Sequence, residues 1–389
     1  MDYNEAAMRM HREHRGKIEV RGKVQVKDRD GLSTAYTPGV AEPCREIVRR
    51  PEAVWELTAR GSFVAVVSDG SAVLGLGNIG PLAAMPVMEG KAVLFKEFGG
   101  VDAVPICLDV HEPAEIIASV RALAPSFGGI NLEDISAPKC FEIEEALERE
   151  LDIPVFHDDQ HGTAIVVSAA LTNALKVAER QLPDCRIVLN GPGAAGTAIT
   201  KMLLTLGARD ITVCDRAGAI FRGREGLSGH KLRLAELTNP ENRRGTLAEV
   251  LRGADVFIGV SSGGLVSKDM VRSMAKGPVV FAMANPTPEI AYEEALEAGA
   301  CVAGTGRSDC PNQINNVLAF PGVFRGALSV RAREINSAMK AAAVEALAGL
   351  VGDSLAPEHI IPDPFDERAP LAIAEAVAKA AVESGVARL

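Results

Sequence analysis

The sequence predicts an α/β fold, with an N-terminal α/β substrate domain followed by a doubly wound, Rossmann-type parallel-sheet domain and C-terminal helices. Short apolar runs alternate with Gly-rich turns between residues 62 and 108, and strands alternate with helices after residue 161. A glycine-rich turn also joins a strand to a helix at residue 191. Such alternation is typical of parallel sheets. At roughly 100 to 200 residues per domain, the 389 residues predict two domains, placed at 1–156 and 157–389.

The first half contains three short apolar runs with the length of strands and one segment with helical spacing. The runs are FVAVVS (63–68), KAVLF (91–95) and VPICL (104–108). Apolar residues in EPAEIIASVRAL (112–123) recur at the 3.6-residue period of an amphipathic helix.

The second half repeats the strand and helix alternation more regularly. Helices are predicted over 167–178 and through Met202, and a further one over LAIAEAVAKAAVESG near the C-terminus. Residues 216–245 are polar and rich in turn formers, which predicts an excursion beside the second strand. The predicted strands are RIVLN (186–190), DITVCD (210–215), VFIGV (256–260) and VVFAMAN (279–285).

Composition excludes several classes of protein. Forty-one Lys and Arg against 51 Asp and Glu give a net charge of −10, which disfavours nucleic acid as a partner. Apolar runs are broken well before the roughly 18 residues that a membrane span requires, so we expect no membrane partner. The first thirty residues mix acidic and basic side chains without an apolar core, so we expect no targeting signal and a cytoplasmic location.

A dinucleotide fingerprint follows the strand RIVLN directly and opens a helix. Its glycines permit the close approach of a pyrophosphate. Asp215, which ends the next strand 19 residues after the last glycine, can accept hydrogen bonds from the ribose hydroxyls. Asp215 would repel a 2′-phosphate, which favours NAD, but the nearby Arg216, Arg222 and Arg224 leave NADP possible. The expected cofactor-binding residues are Asn190, Gly191, Gly193, Ala194, Ala195, Gly196 and Asp215.

A second glycine pattern, Gly75-x-Gly77-x-x-Gly80, matches less well. The next suitable acid, Asp109, lies 29 residues beyond Gly80 and across two apolar runs. We therefore expect this segment to form a strand-to-helix turn near the active site and not to bind a second dinucleotide.

Two pairs of adjacent carboxylates follow short apolar stretches: Glu133-Asp134 and Asp158-Asp159. Oxygen ligands suit Mg²⁺ or Mn²⁺. Neighbouring residues on a regular strand point to opposite faces, so both members of a pair can serve one ion only where the backbone turns. Solvated surface acids are the alternative interpretation of either pair.

Four further side chains are candidates for functional roles. His157 and His161 have the spacing of a zinc site, but Asp158 and Gly162 lie beside them, so we expect both histidines to be structural or to support the residues that bind the ion. A lysine entering a closed site loses hydration and becomes a plausible proton acceptor, and Lys91 fits that description. Tyr36 lies just before a turn formed by Pro38 and Gly39. Taken alone, a tyrosine there is more often a packing residue, and a lysine such as Lys91 is more often a solvated surface residue.

Taken together, the motifs resemble the short bacterial form of malic enzyme. They cover nearly the whole chain and are specific in combination. They are LSTAYTPGVAEPC (32–44), SDGSAVLGLGNIGPLAAMPVMEGKAVLFKEFGGVDA (68–103), GGINLEDISAPKCFEIE (128–144), IPVFHDDQHGTA (153–164), the dinucleotide fingerprint, FAMANPTPE (281–289) and NQINNVLAFPG (312–322).

The resemblance implies a role for each matching residue. Lys91 is the general base, Tyr36 the general acid, and Asp158 a neighbour that tunes the lysine. The larger eukaryotic forms carry a carboxylate-clamping arginine where Ser71 stands here, so Ser71 is expected to face the substrate and the clamp is unassigned. The metal ligands are Glu133, Asp134 and Asp159, and the residues contacting the dicarboxylate or nicotinamide are Asn285, Asn315 and Asn316.

The implied activity is oxidative decarboxylation of (S)-malate to pyruvate and CO₂, with reduction of NAD or NADP and a requirement for Mg²⁺ or Mn²⁺. A homodimer or larger homo-oligomer is expected. A nearer alternative uses the same site for oxaloacetate decarboxylation or malolactic conversion. A more distant one is a non-catalytic NAD-binding sensor.

Overall fold

The computed structural model describes residues 2–73 and 75–389 and confirms the α/β class. The first sheet contains β1 (Phe63–Ser68), β2 (Asp102–Cys107), β3 (Gly129–Leu132) and β4 (Val155–His157). Its strands are all parallel, in the order β2-β1-β3-β4. Their carboxyl ends therefore share one edge, where the segments following β1, β3 and β4 meet.

The second sheet lies later in the chain and has doubly wound topology, in the order β10-β9-β8-β5-β6-β7. β7 is antiparallel to β6, and the other pairings are parallel. The strand order reverses at β5, which is where such folds bind ligands. The strands are β5 (Arg186–Asn190), β6 (Asp210–Asp215), β7 (Gly218–Ala219), β8 (Val256–Gly259), β9 (Val279–Ala282) and β10 (Val302–Thr305).

Helices precede, cover and follow both sheets. Single 3₁₀ turns lie at 51–53, 59–62, 124–126, 182–184, 316–318 and 352–354. The α-helices are α1 (Tyr3–His14), α2 (Arg29–Ala35), α3 (Ala41–Arg49), α4 (Val54–Leu57), α5 (Gly80–Gly99), α6 (Pro113–Leu123), α7 (Lys139–Glu150), α8 (Asp158–Val177), α9 (Ala194–Thr205), α10 (Gly229–Leu237), α11 (Leu247–Leu251), α12 (Lys268–Arg272), α13 (Tyr292–Glu297), α14 (Phe320–Ser329), α15 (Ser337–Gly349) and α16 (Arg368–Glu383).

The strand-like interpretation of KAVLF is wrong, because these residues belong to α5. Lys91, Ala92 and Phe95 are buried at the one-turn spacing of a helix face. A short apolar run does not by itself distinguish a strand from a buried helix. The helix predicted from residue 167 also begins earlier, at Asp158, directly after β4. The strands 186–190 and 210–215 are confirmed, and the domain boundary at 156/157 stays a prediction.

An aromatic cluster joins α5 to α14, which lies late in the chain. The Phe95 ring centroid lies 4.7 Å from that of Phe320 and 5.3 Å from that of Phe324, and Phe156 of β4 lies 5.7 Å from Phe324. All four rings are fully buried. Replacing one such Phe by Ala typically costs about 3 to 5 kcal/mol. The cluster therefore fixes α5 against the end of β4, where the carboxylates of interest begin.

Helices α1, α2 and α3, like the short α4, bury no residue. Lys17, which follows α1, contacts α5: its backbone N–H donates to Glu89 at 3.0 Å, and its Nζ donates to the Pro86 carbonyl at 2.6 Å. Among the residues described, no helix combines the length and apolar character that crossing a membrane would require.

Candidate active site

Lys91 is the centre of a buried charge cluster. Its Nζ lies 2.7 Å from Oδ2 of Asp158 and 3.0 Å from Oε1 of Glu133. The ammonium also sits 4.3 Å from the centroid of the Phe320 ring. Helix α5 presents Lys91, whereas Glu133 and Asp158 immediately follow β3 and β4, so the parallel sheet brings three distant parts of the chain together.

Burial and charge act in opposite directions on Lys91. Burial alone lowers the pKa of its ammonium, but the charges of Asp158 and Glu133 outweigh burial and raise that pKa above its ordinary value. The pKa of the Asp158 carboxyl rises to about 7, first because the group is fully buried and despite the attraction of Lys91. The charges of Lys91, Asp158 and Glu133 therefore shift one another's pKa values strongly, which is typical of functional sites.

Asp158 also connects Lys91 to the substrate side. Its Oδ2 accepts a hydrogen bond from Nδ2 of Asn316 at 2.6 Å, in addition to the one from Lys91. Its Oδ1 is buried and has no hydrogen-bond partner among the described residues. Gly162, one helical turn later, leaves room for this carboxylate, since a Cβ there would lie 1.8 Å from Oδ1.

Three carboxylates converge beside the lysine. Glu133, Asp134 and Asp159 each offer an oxygen, and these oxygens all lie within 4.8 Å of one another. The structure therefore brings together the three residues that the family resemblance implies as metal ligands, and their role as ligands stays a prediction. Oxygen-only donors in this number suit a hard divalent cation.

The backbone turns at the first acid pair as a shared ion requires. Asp134 has a φ of 52°, and its N–H donates to Oδ2 of Asp159 at 2.8 Å. Burial, followed by the charges of Asp159 and Glu133, raises the pKa of the Asp134 carboxyl to about 8. Burial also raises the pKa of Glu133. A bound cation would relieve this repulsion.

A cavity of ≈ 910 Å³ opens above the carboxylates and contains most of the predicted substrate residues. Lys91, Glu133 and Asp158 lie beneath the wall, and Asn316 links that layer to the cavity because it lines the wall and contacts Asp158. The predicted residues that line it are Ser71, Asp134, Asp159, Ala194, Ala195, Asn285, Asn315 and Asn316.

Ser71 and the second glycine pattern form one rim of this cavity. Gly75 and Gly77 have φ angles of 75° and 74°, and α5 begins at Gly80, so the predicted strand-to-helix turn near the site is confirmed. The Ser71 hydroxyl donates to Oδ1 of Asp69 at 2.6 Å. That bond fixes the orientation of the hydroxyl oxygen at the rim.

A neighbouring cavity of ≈ 860 Å³ lies along the carboxyl end of β5 and shares Gly193, Val260 and Ser261 with the first. Asn190, Gly191 and Asp215 also line it, as expected. The two cavities therefore adjoin, and we refer to them together as the crevice. The crevice is large enough to hold a dinucleotide.

The three fingerprint glycines serve different purposes. Gly191 has a φ of 114°, and a Cβ there would lie 2.7 Å from the Val260 carbonyl oxygen. A Cβ at Gly196 would lie 1.9 Å from the Gly191 oxygen, so this glycine packs the helix against the turn. A Cβ at Gly193 meets nothing within 4 Å, so the space above Gly193 is open to a ligand.

Asp215 is not a free carboxylate. Its Oδ1 accepts from Arg224 at 2.7 Å, and its Oδ2 accepts from Lys231 at 2.8 Å. Although partial burial alone would raise the pKa of the carboxyl, these hydrogen bonds lower it below its ordinary value. Lys231 and Arg216 line the nucleotide cavity beside it, which weakens the expected repulsion of a 2′-phosphate.

Tyr36 is the predicted residue that the chain does not bring to the site. It follows α2, its side chain is 67% exposed, and its recorded hydrogen bonds are backbone bonds to Leu32 and Val40. The other tyrosines, Tyr3 and Tyr292, do not line the carboxylate cavity either.

The histidines have the structural positions that were expected. His161 Nε2 lies 2.9 Å from Oε1 of Glu144, and His157 is fully buried between β4 and α8. Burial lowers the pKa of His161. Neither residue belongs to the carboxylate trio identified above.

Sequence reasoning missed several residues that support the site. Asn131 Nδ2 donates to Oε2 of Glu133 at 2.8 Å. Glu289 accepts from the N–H groups of Ser261 and Ala284 at 2.9 and 3.0 Å, which ties together the loops after β8 and β9. Asn131 lies on β3 two residues before Glu133, a spacing that places both side chains on one face and that was visible in the sequence. Lys231, in contrast, lies in a segment whose sequence is polar and shows no clear period.

Comparison with known proteins agrees with this arrangement. A family model described as malic enzyme, N-terminal domain, matches residues 15–148, and one described as malic enzyme, NAD binding domain, matches residues 160–382. A bifunctional malic/malolactic enzyme of Bacillus subtilis is 57% identical, over 100% of this chain and 95% of that protein. An NAD-dependent malic enzyme of Geobacillus stearothermophilus is 58% identical, over 96% and 78% respectively.

Solved structures give the same result. The NAD-dependent malic enzyme of Thermotoga maritima superposes with a TM-score of 0.93 at 51% identity, covering 96% of this chain and 98% of that one. The malic enzyme of Pyrococcus horikoshii superposes with a TM-score of 0.95 at 48% identity, covering 99% and 92%. With matches that extend through both sheets and the crevice between them, the chain belongs to the malic enzyme family.

Proposed function

We propose that this protein catalyses the oxidative decarboxylation of (S)-malate to pyruvate and CO₂, with NAD or NADP as hydride acceptor. The observation that carries the proposal is the buried lysine between two carboxylates, beside a carboxylate trio and at the end of a dinucleotide crevice. Sequence identity to named malic enzymes supports the same conclusion.

Mg²⁺ or Mn²⁺ fits the trio of Glu133, Asp134 and Asp159 because the donors are all oxygens and the pKa of Asp134 is raised by mutual repulsion. When bound, such an ion polarises the C2 oxygen of the substrate and stabilises negative charge on that oxygen as CO₂ departs. The cavity above the trio leaves open positions for substrate and water.

Lys91 accepts the proton of the C2 hydroxyl while the hydride leaves for the nicotinamide. Asp158 and Asn316 orient the lysine by sharing one carboxylate oxygen at 2.7 and 2.6 Å. The lysine must be neutral to act as a base, and a cation held by Glu133 and Asp159 would offset the negative charges that raise the pKa of Lys91. Ser71, Asn285 and Asn315 then face the substrate or nicotinamide from the cavity wall.

Tyr36 is the proposed proton donor to C3 of the enolpyruvate that remains after decarboxylation. A phenol suits this step because it is protonated at neutral pH and can be reprotonated from solvent. In the structure its side chain is exposed and does not line the carboxylate cavity, so this assignment rests on the position of Tyr36 in the matched motif.

We propose NAD as the preferred cofactor and NADP as a usable one. The carboxylate of Asp215 remains at the end of β6 as an acceptor for ribose hydroxyls, which favours NAD. Arg224 and Lys231 neutralise it and reduce its repulsion of a 2′-phosphate. We therefore expect the protein to use both cofactors, with a higher kcat/KM for NAD than for NADP.

Malolactic conversion is a second candidate, favoured by the 57% identity to a bifunctional malic/malolactic enzyme. Retention of the reduced cofactor in the crevice would allow pyruvate to be reduced to lactate before release. A non-catalytic NAD sensor is disfavoured, because it has no use for a buried lysine among carboxylates, an arrangement that is costly to maintain.

The test is a steady-state assay with (S)-malate, either cofactor, and Mg²⁺ or Mn²⁺. We expect absorbance at 340 nm to rise in step with pyruvate, and EDTA to abolish the rise. Lactate without net NADH would instead indicate malolactic conversion. Nucleotide binding without turnover of malate or oxaloacetate would contradict the proposal.

A further inference from the structure

Helix α8 begins with two carboxylates of the site but lacks a cap of its own. Asp158 and Asp159 are its first two residues, and His157 occupies the N-cap position without a side-chain hydrogen bond to the first turn. The first N–H groups of a helix have no partner within that helix, so the start of α8 depends on groups from elsewhere in the chain. Because both acidic side chains leave the backbone within this turn, any tilt of the turn moves both carboxylates.

Glu144 of α7 supplies the missing contacts. Its Oε1 accepts a hydrogen bond from the N–H of His157 at 2.8 Å and lies 2.9 Å from Nε2 of His161. Its Oε2 accepts a hydrogen bond from Nε2 of Gln160 at 2.8 Å. One carboxylate therefore contacts three of the residues from 157 to 161, and the two that it leaves free are the acidic residues of the site.

The burial of Glu144 makes these contacts necessary. The residue lies on the buried face of α7 with Ile143 and Leu147 and is only 5% exposed. A carboxylate in such surroundings is costly unless charges and hydrogen bonds replace its lost hydration. Among the described residues, its recorded hydrogen bonds and ion pair all reach the start of α8, where the helix dipole also favours a negative charge. The first turn of α8 and the Glu144 carboxylate therefore stabilise each other.

Helix α7 also connects the two acid pairs. It begins at Lys139, five residues after Asp134, so Glu144 joins the segment that follows β3 to the start of α8. A second contact between the same segments is the N–H of Asp134, which donates to Oδ2 of Asp159 at 2.8 Å. One contact alone would leave the first turn of α8 free to rotate about it. Two contacts at different points fix both the distance and the relative orientation of the acid pairs.

We propose, on the basis of the function proposed above, that Glu144 is a positioning residue of the active site. It holds the first turn of α8 so that Asp158 meets Lys91 and Asp159 meets the first acid pair. Glu144 does not line the carboxylate cavity, so it acts through the backbone of α8 and not on the substrate. Removal of a group that orients metal ligands typically lowers metal affinity or activity by about 10- to 100-fold.

The variant that tests this role is Glu144→Gln, with Glu145→Gln as its matched control. Glutamine keeps the size of the side chain, but it loses the charge, and its amide nitrogen cannot accept a hydrogen bond. Glu145 is the next residue of α7; its side chain is 48% exposed and its Oε1 lies 3.9 Å from Nη1 of Arg233. Both substitutions remove one negative charge from α7, whereas only Glu144→Gln releases the start of α8.

Two measurements do not depend on turnover. In hydrogen exchange followed by mass spectrometry, the peptide that contains residues 157–161 should exchange faster in Glu144→Gln than in Glu145→Gln, because the first turn opens more readily. In calorimetry, Glu144→Gln should bind Mn²⁺ about 10- to 100-fold more weakly than the wild type. Its affinity for NAD should stay unchanged, because the fingerprint lies on β5 and α9.

Kinetics separate a positioning role from a purely structural one. At saturating Mn²⁺, and at a temperature at which circular dichroism shows the variant to be folded, kcat of Glu144→Gln for malate oxidation should fall about 10- to 100-fold. The KM for NAD should not change. If Glu144 only stabilises the fold, folded Glu144→Gln will match Glu145→Gln in kcat, in Mn²⁺ affinity and in exchange at 157–161. That result would overturn the proposal.

A second variant keeps the test decisive if Glu144→Gln does not fold. Gln160→Met removes the donor to Oε2 of Glu144 and leaves the contacts of Oε1 in place. It should weaken Mn²⁺ binding and speed exchange at 157–161 in the same direction, by a smaller factor. Wild-type values for both measurements in Gln160→Met would overturn the proposal. Where Glu144→Gln does fold, the losses should not add in the double variant, because both act through one carboxylate.

The exchange measurement also distinguishes this proposal from the proposed function. Faster exchange at 157–161 in Glu144→Gln, in a protein whose wild type does not oxidise malate, would disprove the proposed function and retain the role of Glu144 in holding α8. Malate oxidation that is equal in Glu144→Gln and Glu145→Gln would retain the function and disprove the role of Glu144.

Discussion

Cofactor selectivity is predicted to depend on the charge at the end of β6. In the Asp215→Asn variant, the guanidinium of Arg224 and the ammonium of Lys231 lose the carboxylate that now accepts from them at 2.7 and 2.8 Å. Both cations then face a nucleotide cavity that Lys231 already lines. We expect kcat/KM for NADP to rise and kcat/KM for NAD to fall, because ribose hydroxyls lose an acceptor and a 2′-phosphate gains a cationic site.

The magnitude follows from the environment of the pair. Two unit charges 4 Å apart interact by about 1 kcal/mol in water and about 4 kcal/mol at an effective dielectric constant of 20. The side chain of Asp215 is 9% exposed and that of Lys231 is 36% exposed, so the site lies between these limits. Taking about 2 kcal/mol, and about 1.4 kcal/mol per tenfold change, the ratio of the two kcat/KM values should shift about 30-fold toward NADP.

Asp210→Asn is the matched control. Asp210 is the first residue of the same strand and accepts from Arg243 at 2.7 Å, but it does not line the nucleotide cavity. Its variant should lose comparable stability without any change in cofactor ratio. Affinities for 2′,5′-ADP and 5′-ADP, measured by calorimetry, should show the same reversal as the kinetics. An unchanged ratio and unchanged affinities in Asp215→Asn would refute the electrostatic reasoning.

Three further predictions concern the buried charges. Lys91→Ala should lower kcat/KM for malate by about 10² to 10⁴, whereas Lys96→Ala, on the exposed side of α5, should leave it unchanged in parallel assays. The pKa of Asp134 is about 8, and only the deprotonated carboxylate binds a metal ion, so the affinity for Mn²⁺ should fall by up to about tenfold for each pH unit below 8. Calorimetry in two buffers with different ionisation enthalpies should detect the proton that is released on binding. The Asp134→Asn variant should release no such proton. Burial alone would raise the pKa of Glu144, but contacts with His161 and Lys340 lower it to about 2. The carboxylate of Glu144 therefore contributes fully to the free energy of unfolding above about pH 4.5, and this contribution is lost as the pH falls toward 2. In urea unfolding at pH 7, Glu144→Gln should lower the free energy of unfolding by about 3 to 5 kcal/mol, and Glu145→Gln, at an exposed position, by less than about 1 kcal/mol. Equal losses would show that the buried contacts of Glu144 do not stabilise the fold.

The dinucleotide-binding half was predictable because each local signal agreed with the others. RIVLN is apolar, is followed at once by Gly191, and precedes a helix of small residues. The spacing from Gly196 to Asp215 is set by the length of α9 plus β6, which the fold holds nearly constant. What sequence alone could not supply was the pairing of Asp215, since Lys231 reaches it from an aperiodic segment 16 residues later.

The first half was less predictable, for a physical reason. The run KAVLF is too short to distinguish the two periodicities, and Pro86 within α5 further obscures the helical pattern. Lys91 contacts Glu133 and Asp158, which lie 42 and 67 positions later in the sequence. No local sequence pattern predicts such long-range contacts. The burial of Lys91 therefore became apparent only from the packing of α5 on α14 and on the first sheet.

The site arises where the carboxyl ends of strands from the two sheets meet. β3 and β4 of the first sheet deliver Glu133 and Asp158 at their ends, and β5 of the second delivers Gly191. Helix α8 links the two halves of the site, because it begins at Asp158 and Asp159 and is buried along most of its length. Since α8 also packs against α9, which follows the dinucleotide fingerprint, the core packing of one helix ties the carboxylates to the dinucleotide-binding half of the chain.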